Sequence, residues 1–91
     1  MSNPLTELKN IGNTSALWLH AVGIFNHEQL KNIGAVDAYV RIQERGIKTS
    51  KVLLYALYGA LTDEHWNDIS PEIKQQLCER AEARITSLHE N

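Results

Sequence analysis

The pentapeptide Leu-Lys-Asn-Ile-Gly occurs twice in the sequence, at residues 8–12 and at residues 30–34. A glycine after an apolar residue commonly ends a helix, because it adopts positive φ without a steric penalty. Four residues after each glycine there is an alanine, Ala16 in the first copy and Ala38 in the second. The small side chain of alanine lets two helices approach closely. The repeat therefore predicts two matching helix–turn–helix corners that bury paired apolar faces. We refer to residues 8–12 as the first corner and to residues 30–34 as the second corner.

Further capping signals divide the chain into short helices. Asn3 and Pro4 suit the start of a helix that runs from Leu5 to about Lys9. The other predicted caps and ends are Asn13–Ser15, Gly23, the Asn26–Gln29 capping box, Gly34, Gly46, Thr49 or Ser50, and Ser70–Pro71. Residues 51–61 are the most apolar stretch and are expected to form the central helix. No window alternates apolar and polar residues long enough to predict a strand. The sequence predicts an all-α bundle of five or more short helices in a single domain, residues 1–91.

The composition is that of a globular protein without a membrane segment. The chain has 91 residues, of which 43% are hydrophobic and 22% are charged. No apolar run approaches the ~20 residues of a membrane span, and the first ten residues lack the pattern of a signal peptide. A single cysteine, Cys78, excludes an internal disulfide and fits a reducing compartment. We therefore expect a cytoplasmic protein with no membrane partner.

The charge of the chain is unevenly distributed. The formal net charge is −2, yet residues 41–51 contain four bases against one acid, Glu44. These bases are Arg41, Arg45, Lys48 and Lys51. Arg41 and Arg45 are one helical turn apart and share a helix face. The cluster is either an anion-binding patch or a solvated helix surface, and the sequence leaves both interpretations open.

The first corner resembles a helix-hairpin-helix motif. Its pattern L-x-x-I-G-x-x-x-A-x-x-L is filled by Leu8, Ile11, Gly12, Ala16 and Leu19. Asn10 tolerates positive φ better than most residues, and Gly12 accepts it freely. The resemblance implies that backbone amides at the hairpin bind a nucleic-acid phosphate without reading base sequence. The candidate DNA footprint is Asn10, Ile11, Gly12, Asn13 and Thr14 with Arg41, Arg45, Lys48 and Lys51. The alternative is that both corners serve only packing or protein contact.

A longer resemblance covers about residues 5–80. Its marks are Asn10-Ile11-Gly12, Trp18-Leu19, Val22-Gly23-Ile24, Leu30, Gly34-Ala35-Val36, Ala38-Tyr39, Leu54-Tyr55-Ala56-Leu57 and His65-Trp66. In these residues the chain resembles the C-terminal domain of the TfoX (Sxy) family, bacterial regulators of natural competence. The resemblance implies a small helical domain in the regulation of DNA-uptake genes. Its partner is either DNA or another regulatory protein, and its oligomeric state is left open.

Catalytic chemistry has little support in the sequence. The histidines are His20, His27, His65 and His89, and no Cys-x-x-Cys or His-x-x-x-His pair provides metal ligands. Cys78 follows Leu77 in an amphipathic helix and is expected to be a half-buried structural thiol. Tyr55 and Tyr58 share a helix face, and Trp66 is expected at the edge of the core. We predict no enzymatic activity, no cofactor, no metal site and no small-molecule substrate.

Overall fold

The computed structural model describes residues 5–89, and the side chains of residues 5–88. This part of the chain forms five α-helices and two short 3₁₀ helices, with no strand. The α-helices are α1 (Asn13–Ala21), α2 (His27–Ile33), α3 (Ala35–Glu44), α4 (Lys51–Thr62) and α5 (Pro71–His89). The 3₁₀ helices are Leu5–Glu7 and Trp66–Asp68. The all-α prediction is confirmed. Asn3 and Pro4, the predicted start of the first helix, lie outside the described residues.

The core is built around α3 and α4, which pack against each other. α3 contacts all four other α-helices, and α4 also contacts α2, α5 and the second 3₁₀ helix. Each of the two helices buries six residues. The largest fully buried side chains are Leu5, Leu19, Ile24, Leu30, Ile42, Leu54 and Leu57. The predicted central helix, α4, therefore shares its position with α3, and its own Val52 is exposed.

The helix ends follow local sequence signals at most positions. Gly23, Gly34 and Gly46 all have positive φ. Asn26 caps α2, because its Oδ1 accepts a hydrogen bond from the Gln29 backbone N–H at 2.9 Å. The Gln29 Oε1 accepts from the Phe25 N–H at 2.7 Å, which completes a capping box one residue longer than the usual one. Ser70 Oγ likewise accepts from the backbone N–H of residue 73 at 3.3 Å.

One cap prediction was wrong, and a second was confirmed in position but not in its hydrogen bond. Asn13 was expected among the caps of α1, but it is the first helical residue, and Gly12 occupies the N-cap position with an extended φ of −98°. Gly12 therefore does not use the positive φ that its type permits. Ser50 is the N-cap residue of α4 without a side-chain cap hydrogen bond, and Thr49 Oγ1 instead accepts from Gln43 Nε2 at 2.6 Å. The end of α3 is thereby tied to the start of α4.

The two copies of the pentapeptide adopt different conformations. Residues 30–33 form the last turn of α2, and Gly34 (φ 90°, ψ 156°) is both the C-cap of α2 and the N-cap of α3. Residues 8–12, in contrast, form an irregular connection between the first 3₁₀ helix and α1. In this copy the residue with positive φ is Asn10, at 73°. Both corners thus join two helical segments, but with different backbone geometry.

Candidate functional site

The first corner is fastened by the side chain of Asn10. Its Nδ2 donates to the Glu64 carbonyl oxygen at 2.8 Å and to the Ala56 carbonyl oxygen at 3.5 Å. Its Oδ1 accepts from the Trp66 backbone N–H at 3.2 Å. The amide therefore bonds to the middle of α4, to the turn that follows α4 and to the second 3₁₀ helix, all about fifty residues further along the chain. We refer to these bonds as the Asn10 clamp. They give Asn10 a structural role, and its amide is already occupied by backbone partners.

Gly59 makes room for the clamp within α4. A Cβ atom at this position would overlap the backbone carbonyl oxygen of Glu64 and press on Nδ2 of Asn10. The chain reverses here through Asp63, which has a left-handed conformation (φ 59°), and the Glu64 N–H donates to the Gly59 carbonyl oxygen at 2.8 Å. Gly59 is a residue that sequence reasoning missed, because a glycine inside an apolar helix carries no local sign of what approaches it.

The charges beside the first corner are mainly acidic. Lys9 pairs with Asp63 at 3.7 Å between Nζ and Oδ1, so its charge is partly compensated. Glu64 is adjacent to Asp63, and its side chain is exposed. The exposed residues Asn13 and Thr14 begin α1, where helix amides attract anions. The carboxylates of the α4 end oppose that attraction, since they add negative potential close to the same surface.

The basic segment lies away from the first corner. Arg41 and Arg45 on α3 border Ala21 and Val22, at the C-terminal end of α1, whereas Gly12 caps its N-terminal end. Lys51 is the first residue of α4 and pairs with Glu82 at 4.0 Å, while the Asn10 clamp meets the other end of α4. Lys48 is exposed in the α3–α4 connection. The structure therefore does not bring the corner residues Asn10, Ile11, Gly12, Asn13 and Thr14 into one patch with Arg41, Arg45, Lys48 and Lys51.

A groove between α3 and α5 gathers all four arginines of the chain. It consists of two adjoining hollows of about 520 Å³ and about 600 Å³ that share Asp37 and Arg84. Arg80 lines the first hollow, and Arg41 and Arg45 line the second. Among the described residues, no lysine lines either hollow. We refer to the two hollows together as the arginine groove.

Apolar side chains line the floor of the arginine groove. The first hollow is lined by residues that include Val36, Leu61 and Leu77, and the second by residues that include Ala21, Val22, Val40 and Leu88. Leu88, at the border of the second hollow, is 52% exposed. Between the hollows, Arg84 Nε lies 3.2 Å from Asp37 Oδ1 in a pair that is about half exposed. A pair so open to water contributes less than about 1 kcal/mol to stability.

Arg80 and Arg84 were not among the predicted site residues. They are four residues apart on α5, so they share one helix face, and this much could have been read from the sequence. Their meeting with Arg41 and Arg45 depends on how α3 packs against α5. That packing is a long-range contact, and the local sequence does not encode it.

Tyr55, Cys78, His65 and Lys74 contact other residues of the fold. The Tyr55 hydroxyl lies 3.2 Å from Cys78 Sγ, and this hydrogen bond, aided by burial, raises the pKa of Tyr55 to about 12. His65 caps the second 3₁₀ helix, because its Nδ1 accepts from the Asn67 N–H at 3.1 Å. Lys74 Nζ lies 5.4 Å from the ring centroids of both Tyr55 and Trp66. Within residues 5–88, no group of three or more His, Cys, Asp or Glu side chains could hold a metal ion.

No helix in the described part of the chain is both long enough and apolar enough to cross a membrane. The apolar helix α4 has 12 residues, and the longest helix, α5, has 19 residues but is rich in charge. A transmembrane helix needs about 20 predominantly apolar residues.

Comparison with known proteins identifies the family. An uncharacterized protein from Listeria monocytogenes, solved in a triclinic crystal form, superposes with a TM-score of 0.80 at 30% identity, over 98% of this chain and 97% of that chain. A protein of unknown function from Listeria monocytogenes, in a tetragonal form, gives a TM-score of 0.79 at 31% identity, over 86% of this chain and 96% of that chain. No curated protein matches the sequence. The model of the TfoX C-terminal domain matches residues 1–81. The chain belongs to the TfoX C-terminal domain family.

Proposed function

We propose that this chain is a non-enzymatic, cytoplasmic regulatory domain of the competence and DNA-transformation type that works by binding another protein. The single observation that carries the proposal is the arginine groove, in which four arginines surround an apolar floor. Membership of the TfoX C-terminal domain family supplies the regulatory setting. In this proposal, residues 1–91 form a single domain.

The composition of the groove favours a protein partner. Arginine is enriched at the centre of protein interfaces, where its planar guanidinium both packs on apolar groups and pairs with carboxylates. An apolar floor gains little from the charged phosphate groups that dominate the affinity for nucleic acid. The chain also carries a net charge of −2, which weakens long-range attraction to nucleic acid.

A genetic experiment tests this function in the organism that carries the chain. The chromosomal copy is deleted, or replaced by the Arg41→Glu/Arg80→Glu variant, which reverses one charge in each hollow. Transcripts of the DNA-uptake genes and transformation frequency are measured. We expect both to fall in the deletion strain and in the arginine variant. The Lys31→Glu/Lys48→Glu variant makes the same change in net charge outside the groove and is expected to behave as wild type. A deletion that leaves both measurements unchanged rejects the proposal.

Direct binding of DNA is the second candidate function. It would use the hairpin amides at Asn13 and Thr14 and, as a separate contact, the bases of residues 41–51. One observation favours it. Gly12, the N-cap residue of α1, has no side chain that could bond to the first helix amides, and Asn13 and Thr14 are exposed. Such binding needs few cations, since the helix dipole supplies positive potential.

Salt dependence separates the two candidates. A duplex without a chosen sequence is titrated with the protein at several salt concentrations. Phosphate binding predicts a steep loss of affinity with salt, and Lys48→Ala is expected to reduce the slope by about one unit. Lys31→Ala, at an exposed site on α2, should leave the slope unchanged. Absence of binding at ~50 mM salt rejects the DNA candidate.

A further inference from the structure

We infer that the arginine groove binds an acidic amphipathic helix of a partner protein. This inference rests on the proposed function and deepens it, because it states the chemistry of the segment that docks. The observations behind it are the length of the groove, its charge, and the apolar residues at its floor and rim.

The dimensions of the groove suit a short helix. Along α3 it extends from Gly34 in the first hollow to Arg45 in the second. At 1.5 Å per residue this distance is roughly 16 Å, the length of about three helical turns. The Asp37–Arg84 pair divides the floor into two hollows. A helix that lies along the groove can therefore place one apolar side chain in each hollow, with its anchors one or two turns apart.

The charge of the groove selects an acidic partner. Its charged residues are the four arginines, Asp37 and Glu44, which gives a formal charge of +2. The whole chain has a charge of −2, so the rest of the molecule carries −4. A partner helix with carboxylates along its flanks is attracted to this face and repelled by the others. The specificity of the groove for acidic helices follows from that difference.

The kind of base in the groove also points to carboxylates. The sequence has five lysines, but none of them lines the hollows, where every base is an arginine. Guanidinium groups form paired hydrogen bonds with a carboxylate, and they lose less hydration energy than ammonium groups on burial. Arg84 can exchange its exposed pairing with Asp37 for a partner carboxylate at small cost, because such exposed pairs contribute little.

Apolar residues at the rim extend the surface that a helix could cover. Leu88 borders the second hollow, and Leu17, one turn before Ala21 on α1, is 66% exposed. Exposed aliphatic side chains beside a concave apolar floor add to the apolar area that a partner can bury. A helix with leucines at i, i+3 or i+4, and i+7 fits this distribution.

A direct binding experiment uses the full chain and a designed fluorescent peptide. The peptide has about 14 residues, leucines at the amphipathic spacing and glutamates along both flanks. Three other probes accompany it: the same peptide with lysine in place of each glutamate, a scrambled peptide of identical composition, and a short DNA duplex. Fluorescence anisotropy measures the affinity of each. We expect the acidic amphipathic peptide to bind at least about tenfold more tightly than either control peptide.

Protein variants locate the binding surface. Arg41→Glu/Arg80→Glu is expected to lower the affinity for the acidic peptide by at least about tenfold, because it reverses one charge in each hollow. The matched variant Lys31→Glu/Lys48→Glu should change the affinity by less than about twofold, since neither lysine lines the groove and exposed charges are screened by salt. Circular dichroism and thermal unfolding check that both variants keep the fold. Methyl NMR of the wild-type protein with peptide should shift Val40 and Leu61, but not Leu5.

Several outcomes overturn the inference. Equal affinity for the acidic and lysine peptides, or for the ordered and scrambled peptides, removes the selectivity that the groove predicts. Equal losses in the two charge-reversal variants indicate unspecific attraction. Binding of the duplex alone assigns the surface to nucleic acid. If none of the peptides binds while Arg41→Glu/Arg80→Glu still abolishes expression of the DNA-uptake genes, the proposed function stands and the acidic helix is refuted.

Discussion

Replacing Gly59 by alanine tests the close approach at the end of α4. In an isolated helix this change stabilises by about 1 kcal/mol, because alanine loses less backbone entropy than glycine. Here the new methyl group would overlap the carbonyl oxygen of Glu64, and backbone atoms cannot swing away as a flexible side chain can. Overpacking of this kind costs about 1–3 kcal/mol.

The displaced backbone also loosens the Asn10 clamp. Loss of the Nδ2 hydrogen bond to Glu64, which is 2.8 Å long, costs about 1 kcal/mol, and more where the freed polar group stays buried. With the gain in helix propensity subtracted, we expect Gly59→Ala to lower the free energy of unfolding by about 2 kcal/mol. For a chain of this size, that loss lowers Tm by about 8–16 °C.

Urea and thermal unfolding of the wild type and the variant measure this loss. Gly12→Ala is the matched control, because Gly12 has negative φ and a Cβ there meets nothing within 4 Å. It should cost about 1 kcal/mol, the typical difference between a favoured N-cap residue and alanine. A Gly59→Ala protein that is more stable than the wild type would show that helix propensity alone governs this site. The reasoning from close approach would then be refuted.

Three further predictions concern the clamp, the second corner and the half-buried Tyr55. Asn10→Ala should lower the free energy of unfolding by about 2 kcal/mol in urea titrations, and Asn10→Gly by less, because glycine accepts the positive φ. Gly34→Ala should cost about 1–3 kcal/mol by the same measurement, since φ 90° with ψ 156° suits only glycine; a neutral effect would contradict this assignment. Tyr55 has a folded pKa of about 12 against an ordinary 10.0, so its contribution to stability is complete below pH 10 and is lost as the pH rises through 12. Cys78→Ala should lower that pKa in a spectrophotometric titration, and an unchanged titration would contradict the role of the Tyr55–Cys78 hydrogen bond.

Most helix ends were predictable from local signals. Gly23, Gly46 and the Asn26 cap need only their immediate neighbours in sequence, and the structure has each of them as predicted. In α2, for example, the Asn26 cap fixes the first helical turn, which precedes the second copy of the pentapeptide in the sequence. The copy at residues 30–34 then continues an established helix.

The first copy shows where local reasoning fails. Residues 8–12 have the same five letters, but their conformation depends on hydrogen bonds from Asn10 to residues 56, 64 and 66. No pattern within the first corner specifies those partners. The candidate site also combines local and long-range features. The spacing of Arg41 and Arg45 shows that they share a helix face, whereas their proximity to Arg84 depends on the packing of α3 against α5.

The Asn10 clamp also determines when the amino-terminal segment can reach its final place during protein synthesis. Its bonds span 46 to 56 residues, so both sides exist only after Trp66 has been added to the growing chain. α1 can coil as soon as it leaves the ribosome, but the first corner stays unfastened until residues 56, 64 and 66 have emerged as well.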